Sequence, residues 1–337
     1  MSVRIAINGF GRIGRALLRA AVHEPDVDIV AINDLGDLNN LAYLLALDSV
    51  YGAFPGQVSA GSGELIVGAK HIKVLAQMDP AKLPWKDIGI DVAVESTGVF
   101  DSFEKARAHI TAGARKVVIS APVKDVAPGS ATVLMGVNEE KLQTCDVTSN
   151  ASCTTNSASP IIAILDKALG IDKALLNTVH AYTATQSLVD SPVRGSDLRR
   201  GRAAAINITP SSTGAAIAVT KAYPDLAGRF DGIALRVPVV AGSLVDITFI
   251  ARRETTAEEV NKILTDAAAS PRWQGIFTTS DEPLVSSDII GNPYASIADL
   301  EMTRVVGGNL VKVLAWYDNE MGYAHTLLRH VKLAGVN

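Results

Sequence analysis

The chain has 337 residues, 48% of them hydrophobic and 20% charged, with a formal net charge of −4. That length predicts about two domains of roughly 150 residues each, and the apolar content builds a sizeable core and excludes intrinsic disorder. A charge balance so close to neutral disfavours nonspecific binding to nucleic acid or to an anionic membrane surface.

In chain order, residues 3–7 (Val-Arg-Ile-Ala-Ile) read as a short strand. Glycines follow at 9, 11 and 14, and Leu17, Leu18 and Val22 then recur at helical spacing. Residues 27–32 read as the next strand, so one strand–turn–helix–strand unit fits within about 30 residues, which favours a parallel sheet. Strand-like runs at 90–95 and 116–120 flank a helical stretch at 102–112. Residues 1–150 are therefore expected to form a Rossmann-type, doubly wound parallel sheet. The pattern changes after Ser149. A long helix runs through Ile161, Ile162, Ile164, Leu165 and Leu169, and pattern alone leaves its start open between Cys153 and Ser159-Pro160. A polar loop spans 182–206, and alternating strands fill 231–252. Residues 255–268 read as a helix opened by Thr256, with Glu258 and Glu259 in its first turn. A strand is expected at 310–317. The fold class is α/β, with an α+β second domain over 151–318 built on a mixed sheet. No internal repeat interrupts this plan.

Gly9-Phe10-Gly11-Arg12-Ile13-Gly14 is G-x-G-x-x-G placed between a strand and a helix. Glycine serves three ends there: a tight turn, close approach of a pyrophosphate, and close packing of helix on sheet. The helix start offers unpaired N–H groups and a positive dipole end to phosphate. Asp34 lies 20 residues after Gly14, where an acid would bond a ribose 2′-OH and repel a 2′-phosphate, favouring NAD over NADP. The plain alternative is a glycine turn between packed elements, with Asn33-Asp34 an ordinary turn.

The two cysteines, Cys145 and Cys153, do not make a disulfide scaffold in a chain of this length. Their spacing permits a disulfide, which a reducing compartment disfavours. No Cys/His spacing suits a metal, so none is expected. No apolar run is long enough to span a bilayer, and the first residues lack a signal peptide's apolar core, so the cytoplasm is the expected location. Cys153 sits in a small, polar, turn-rich stretch, Ser149-Asn150-Ala151-Ser152-Cys153-Thr154-Thr155-Asn156. On residue type alone it reads as a small buried side chain. At a helix start, however, its pKa would fall, and His180, closing a strand-like run at 176–180, could pair with it to give an activated thiolate. His180 reads equally as a satisfied core histidine, and Cys145 as structural.

The eight residues from Ser149 to Asn156 resemble the active-site signature of phosphorylating glyceraldehyde-3-phosphate dehydrogenases, and the likeness extends over the whole chain. Residues 6–15, Asn33-Asp34, Glu95-Ser96-Thr97-Gly98, His180-Ala181-Tyr182-Thr183, Ser212-Thr213-Gly214, Leu235-Arg236-Val237-Pro238 and Trp316-Tyr317-Asp318-Asn319-Glu320 match further motifs of that family in order. The resemblance implies that Cys153 attacks the aldehyde of glyceraldehyde 3-phosphate as a thiolate, with His180 as its ion-pair partner and base. It implies that Thr183 and Arg236 hold the substrate's phosphate, that Ser152, Thr154, Thr213 and Gly214 hold inorganic phosphate, and that Arg200 adds charge nearby. By themselves, the basic residues at 199–202 read as a solvated face. It implies an NAD site made by Gly9, Gly11, Arg12, Ile13, Gly14, Asp34, Thr97, Gly98, Ser120, Asn319 and Tyr323. It implies a last helix over 319–334 that returns to the first domain, and a homotetramer with residues 182–206 at an interface. Ser157, Met321 and the stretch 239–243 depart from the family's commonest pattern, and no arginine stands at Gln77. A related erythrose-4-phosphate dehydrogenase and a non-catalytic binding protein on the same scaffold are the alternatives. The intact His-Ala-Tyr-Thr stretch argues against the first, and the presence of Cys153, His180, Arg236 and Asn319 argues against the second.

Overall fold

The structure, a computed structural model, describes residues 2–193 and 196–336; the remaining two residues of the expected 182–206 loop lie outside the described residues. The chain divides into two compact units, Met1–Ala151 with Ala324–Asn337, and Ser152–Tyr323.

Among the described residues, the first unit holds a nine-stranded sheet. Its spatial order is Ser130–Thr132, Val147–Ser149, Lys116–Ile119, Val92–Glu95, Val3–Asn8, Val27–Asn33, Lys70–Leu75, Glu64–Val67 and Val58–Ala60. Pairing is parallel from Ser130–Thr132 through Lys70–Leu75 and antiparallel in the last two steps. The order reverses at Val3–Asn8, which lies between Val92–Glu95 and Val27–Asn33, and ligands of such sheets bind beyond the strand ends at that point. The central strands are almost wholly buried and apolar, as a sheet covered on both faces requires. The short strands between 58 and 75 carry no long apolar run, and the sequence pattern passes over them.

Helix Arg12–Ala21 follows the glycine turn. The stretch expected as one helix over 102–112 divides into Phe103–Ala106 and Ala108–Thr111. The division falls at Arg107, whose guanidinium is tied away to Pro128 O and Ser130 Oγ while its N–H closes the first helix on Phe103 O.

The ends of three neighbouring strands carry buried polar side chains that satisfy one another. Asn33 Nδ2 donates to Asn8 Oδ1 at 2.7 Å, and Asn8 Nδ2 donates to Glu95 Oε2 at 2.6 Å. His109 is fully buried beside them, with Nε2 3.1 Å from Glu95 Oε2. Trp85 Nε1–H donates to His109 Nδ1 at 2.9 Å, so Nδ1 is an acceptor, the proton sits on Nε2, and the ring is a neutral donor to the carboxylate. The Thr97 N–H and hydroxyl fill the other oxygen, Glu95 Oε1. A buried carboxylate is tolerated only with such a complement of donors.

The second unit is built on a seven-stranded mixed sheet in the order Thr209–Ser212, Phe230–Val237, Ile171–Ala181, Ser243–Ala251, Leu310–Tyr317, Ser296–Val306 and Phe277–Ser280. The run expected over 231–252 is two strands that do not pair with each other, because Ile171–Ala181 lies between them. The helix Ala257–Ala268 begins where expected, with the Thr256 hydroxyl accepting from Glu259 N. The long helix starts at Cys153, not at Ser159-Pro160, and Pro160 lies within it. Ser152 decides this, since its Oγ caps the helix by accepting from Thr155 N at 3.1 Å. Just before the cap, Ala151 adopts φ 54°, a left-handed conformation that non-glycine residues rarely take.

The Glu95 network generates a stability prediction. His109→Leu leaves the carboxylate one donor short and the Trp85 N–H unpaired. It is expected to cost about 2–3 kcal/mol, a fall in thermal midpoint of roughly 5–10 °C. An unchanged midpoint by calorimetry would show that the network contributes nothing.

Candidate active site

In Ile171–Ala181, Leu176, Thr178 and His180 point to the buried face while Leu175 points out. That alternation aims His180 at the start of helix Cys153–Leu169, where Cys153 Sγ lies 3.3 Å from His180 Nε2. His180 is buried, and Cys153 keeps partial exposure. Nδ1 of the ring lies between Ala181 O at 2.6 Å, which can only accept, and Arg236 Nη1 at 2.7 Å, which can only donate; with the proton on Nδ1, Ala181 O accepts it and the Nε2 lone pair faces the thiol. His180 is thereby oriented as a base toward Cys153.

Arg236 is the cross-strand neighbour of His180 in the parallel pair. Its Nη1 is 3.2 Å from Ala181 O and 2.7 Å from His180 Nδ1. The shared carbonyl accepts from both groups. Burial, and then the guanidinium charge, pull the imidazole pKa down to about 3. Burial pushes the Cys153 thiol up, while Arg236 and the backbone and hydroxyl of Thr154 pull it down. The helix dipole at Sγ acts in the second direction as well. Tyr317 completes the cluster. Its hydroxyl lies 2.9 Å from Thr154 Oγ1 and 2.8 Å from Thr178 Oγ1, and its ring meets His180 edge to face at 6.0 Å. Neither Tyr317 nor Thr178 stands out in the sequence, where each reads as one more inward strand residue.

Around this centre Arg200 binds Asp197 Oδ2 at 3.0 Å, Thr185 Oγ1 at 3.1 Å and Ser211 Oγ at 3.0 Å, and Thr185 in turn meets Thr183 Oγ1 at 3.0 Å. Arg200 acts electrostatically on both His180 and Arg236, so Thr183, Arg200 and Arg236 make one basic region. The Ser152 hydroxyl is used as the helix cap and the Thr154 hydroxyl turns inward to Tyr317. Thr213 and Gly214 open helix Ala215–Ala222 as a group of their own, with Thr213 Oγ1 accepting from Ala215 N. Asn319 is buried, with Oδ1 bonded to Ser243 Oγ; Tyr323 is buried within helix Met321–Val336.

In the first unit a cavity of about 360 Å³ opens over the strand ends, lined by Gly9, Gly11, Asp34 and Thr97 among others. Gly9 takes φ +94°, and a Cβ there would lie 2.6 Å from Thr97 N. A Cβ on Gly14 would lie 2.3 Å from Gly9 O, whereas one on Gly11 would meet open space. These are the tight turn, the close packing and the open approach that a pyrophosphate needs. Helix Arg12–Ala21 has Gly11 at its N-cap and no side chain capping it, which leaves its first N–H groups to an anion. The Asp34 carboxylate is held by Phe10 N at 2.7 Å and Gly36 N at 2.8 Å. Leu35, Met78 and Val99 expose apolar surface on the cavity wall, as a flat aromatic base requires. These residues fit a dinucleotide. Arg12 instead turns its side chain to Asp48 at 2.5 Å and over the Tyr51 ring. Ile13, Gly98 and Ser120 do not line the cavity, and Ser120 N bonds back to Glu95 O. Both cysteines are free. No group of residues suited to hold a metal occurs among the described residues.

The profile of the glyceraldehyde 3-phosphate dehydrogenase NAD binding domain matches residues 3–103, and that of the family's C-terminal domain matches residues 152–319. The chain is 48% identical to glyceraldehyde-3-phosphate dehydrogenase 1 of Streptomyces avermitilis, covering 99% of each chain. It is 50% identical to the glyceraldehyde-3-phosphate dehydrogenase of Thermotoga maritima, over 98% of each, and 47% identical to that of Geobacillus stearothermophilus, over 97% of each. The chain belongs to the glyceraldehyde 3-phosphate dehydrogenase family. Its first unit thus carries the family's NAD-binding domain, and the cavity over the glycine turn lies within the residues that this profile matches. The Cys153–His180 pair lies within the family's C-terminal domain.

The geometry predicts a pH signature. With His180 in place, Nε2 offers the thiol proton an acceptor 3.3 Å away. His180→Asn removes that acceptor, while burial still favours the thiol. Alkylation of Cys153 by iodoacetamide at pH 7 is expected to slow by about tenfold or more, with its rate profile displaced to higher pH. A profile superimposing on the wild type would exclude His180 as the proton acceptor.

Proposed function

We propose that the protein oxidises D-glyceraldehyde 3-phosphate to 1,3-bisphosphoglycerate with NAD and inorganic phosphate. The observation that carries this reading is the 3.3 Å approach of Cys153 Sγ to a His180 ring whose other nitrogen is committed to Ala181 O. Membership of the family supports it.

Cys153 adds to the substrate aldehyde as His180 takes the thiol proton and returns it to the aldehyde oxygen; the ring, neutral again, then takes the hydroxyl proton of the thiohemiacetal as that carbon is oxidised. NAD, when bound, supplies the hydride acceptor. Gly9, Gly11 and the start of helix Arg12–Ala21 would cradle its pyrophosphate and Asp34 its adenosine ribose, and Asn319 would take the nicotinamide carboxamide. Thr97 lines that pocket, and Tyr323 would pack near the ring. The acyl group then rests on Cys153 as a thioester, and inorganic phosphate displaces it to give the acyl phosphate and the free thiol. Thr183 and Arg236 hold the substrate's own phosphate, with Arg200 adding positive charge. Thr213 and Gly214, at an open helix start, receive the attacking phosphate with the backbone of Ser152 and Thr154. An anion on Arg236 also relieves the charge that opposes protonation of His180, so substrate binding favours the base.

The decisive assay is NADH formation from glyceraldehyde 3-phosphate with and without inorganic phosphate. Turnover that depends on phosphate, and that Cys153→Ser abolishes while NAD still binds, is the expected result. Phosphate-independent turnover, or preference for erythrose 4-phosphate, would assign a hydrolysing relative.

The same reading takes the protein as a cytoplasmic homotetramer with residues 182–206 at an interface. Two free cysteines suit a reducing compartment. The exposed Leu188, Val189, Leu198 and Ile206 in that loop suit burial against another subunit. Light scattering after size exclusion should give four times the 35.4 kDa chain mass, and a monomer at working concentration would refute the assembly.

A further inference from the structure

Ser243 opens the strand Ser243–Ala251 and is buried. Its Oγ accepts the Ala181 backbone N–H at 3.1 Å and lies 3.1 Å from Asn319 Oδ1. The main-chain N–H can only donate, so the serine's own proton must go elsewhere. Asn319 is its one acceptor among the described residues. The two ends of an asparagine amide are told apart by such a network. Were Asn319 reversed, Ser243 Oγ would receive two donors, and its own proton would be buried with no acceptor. Oδ1 therefore faces Ser243, and Nδ2 faces the other way. Asn319 is only 5% exposed, and Nδ2, which bonds no group among the described residues, stays open to a ligand. Its backbone is held independently. Asp318, fully buried, accepts from Glu320 N and Met321 N at 2.9 Å and from Gly291 N at 2.7 Å.

We infer that Ser243 is a positioning residue for the cofactor's nicotinamide end: it fixes the Asn319 amide with Nδ2 outward, so that the site offers a donor to the carboxamide oxygen. The same hydroxyl holds the Ala181 N–H, in the peptide that follows His180. One buried serine thus ties the amide that orients the ring to the strand that carries the base. This inference rests on the reading of Asn319 given above. Ser243 is the last residue of the stretch 239–243 that departs from the family's commonest pattern, and at this position the hydroxyl is kept.

The test compares dissociation constants for NAD and for ADP-ribose, which lacks the nicotinamide, by calorimetric titration of the full-length protein. The readout is the ratio of the two constants. Asn319→Ala is expected to raise the ratio about tenfold, the loss of one oriented hydrogen bond. Ser243→Ala is expected to raise it by a similar factor, and to add nothing further in the Asn319→Ala background. Ser243→Cys, close in volume but poor as both donor and acceptor, provides a second variant with the same expected rise. If Asn319→Ala raises the ratio and neither Ser243 variant does, Ser243 does not orient the amide and the inference falls while the reading of Asn319 stands. A Ser243 variant that weakens both ligands equally marks a merely structural role and overturns the inference as well. If Asn319→Ala leaves the ratio unchanged, the reading of Asn319 is itself wrong.

Discussion

The second unit is organised around one proton, the one shared by Cys153 Sγ and His180 Nε2 across 3.3 Å. Each neighbour constrains where it goes. Ala181 O holds the Nδ1 proton and so commits Nε2 to the thiol. Tyr317, bonded to Thr154 and Thr178, ties the helix start to the sheet and sets its ring edge against the imidazole. Arg236 supplies positive charge that favours the thiolate and disfavours the imidazolium. The two effects oppose each other.

The first unit solves a different problem, that of holding a polar ligand over the ends of apolar strands. Backbone does most of it: a glycine turn that a side chain would block, and a helix start left uncapped. Beneath them the Glu95 carboxylate draws four donors from Asn8, His109 and Thr97. Thr97 and Asn8 both line the cavity, so the charge that organises the floor is not offered to the ligand. A negative group exposed beside a pyrophosphate would repel it. Saturated by donors from below, the same group instead fixes the shape of the pocket.

What the sequence made legible follows from how local each signal is. The glycine turn, Asp34 and the strand periods are local, and the parallel sheet follows from them. Pattern alone leaves Cys153 and His180 open between core and site residues, and their roles come from the resemblance of the residues around them to a known family. The helix start stayed open because a serine before a cysteine and a serine before a proline are equally good local stops; the cap on Thr155 N decides it only in three dimensions. Tyr317, Thr178 and Ser243 were invisible as site residues for another reason. They lie on separate strands, each in register with buried apolar neighbours, and their hydroxyls matter only because the sheet order brings them to one face. Asp197 and Thr185, which hold Arg200, lie in a loop with no period to read.

The burial that opposes ionisation of Cys153 is also what the chemistry needs. A thioester in open water is lost to hydrolysis, and a fully hydrated thiolate is a slower nucleophile than one stripped of its shell. Desolvation raises the thiol pKa, so a buried nucleophile must recover its charge from fixed partners. Here those partners are a helix start, the Thr154 N–H and hydroxyl and one guanidinium, all positioned by the sheet and by a serine cap. None is mobile solvent, so none has to reorganise as charge develops at sulfur. The left-handed Ala151 just ahead of Ser152 fits the same account. Strain of about 1–2 kcal/mol is tolerated at that residue because the turn it makes delivers Ser152 to the cap and Cys153 to the first position of the helix.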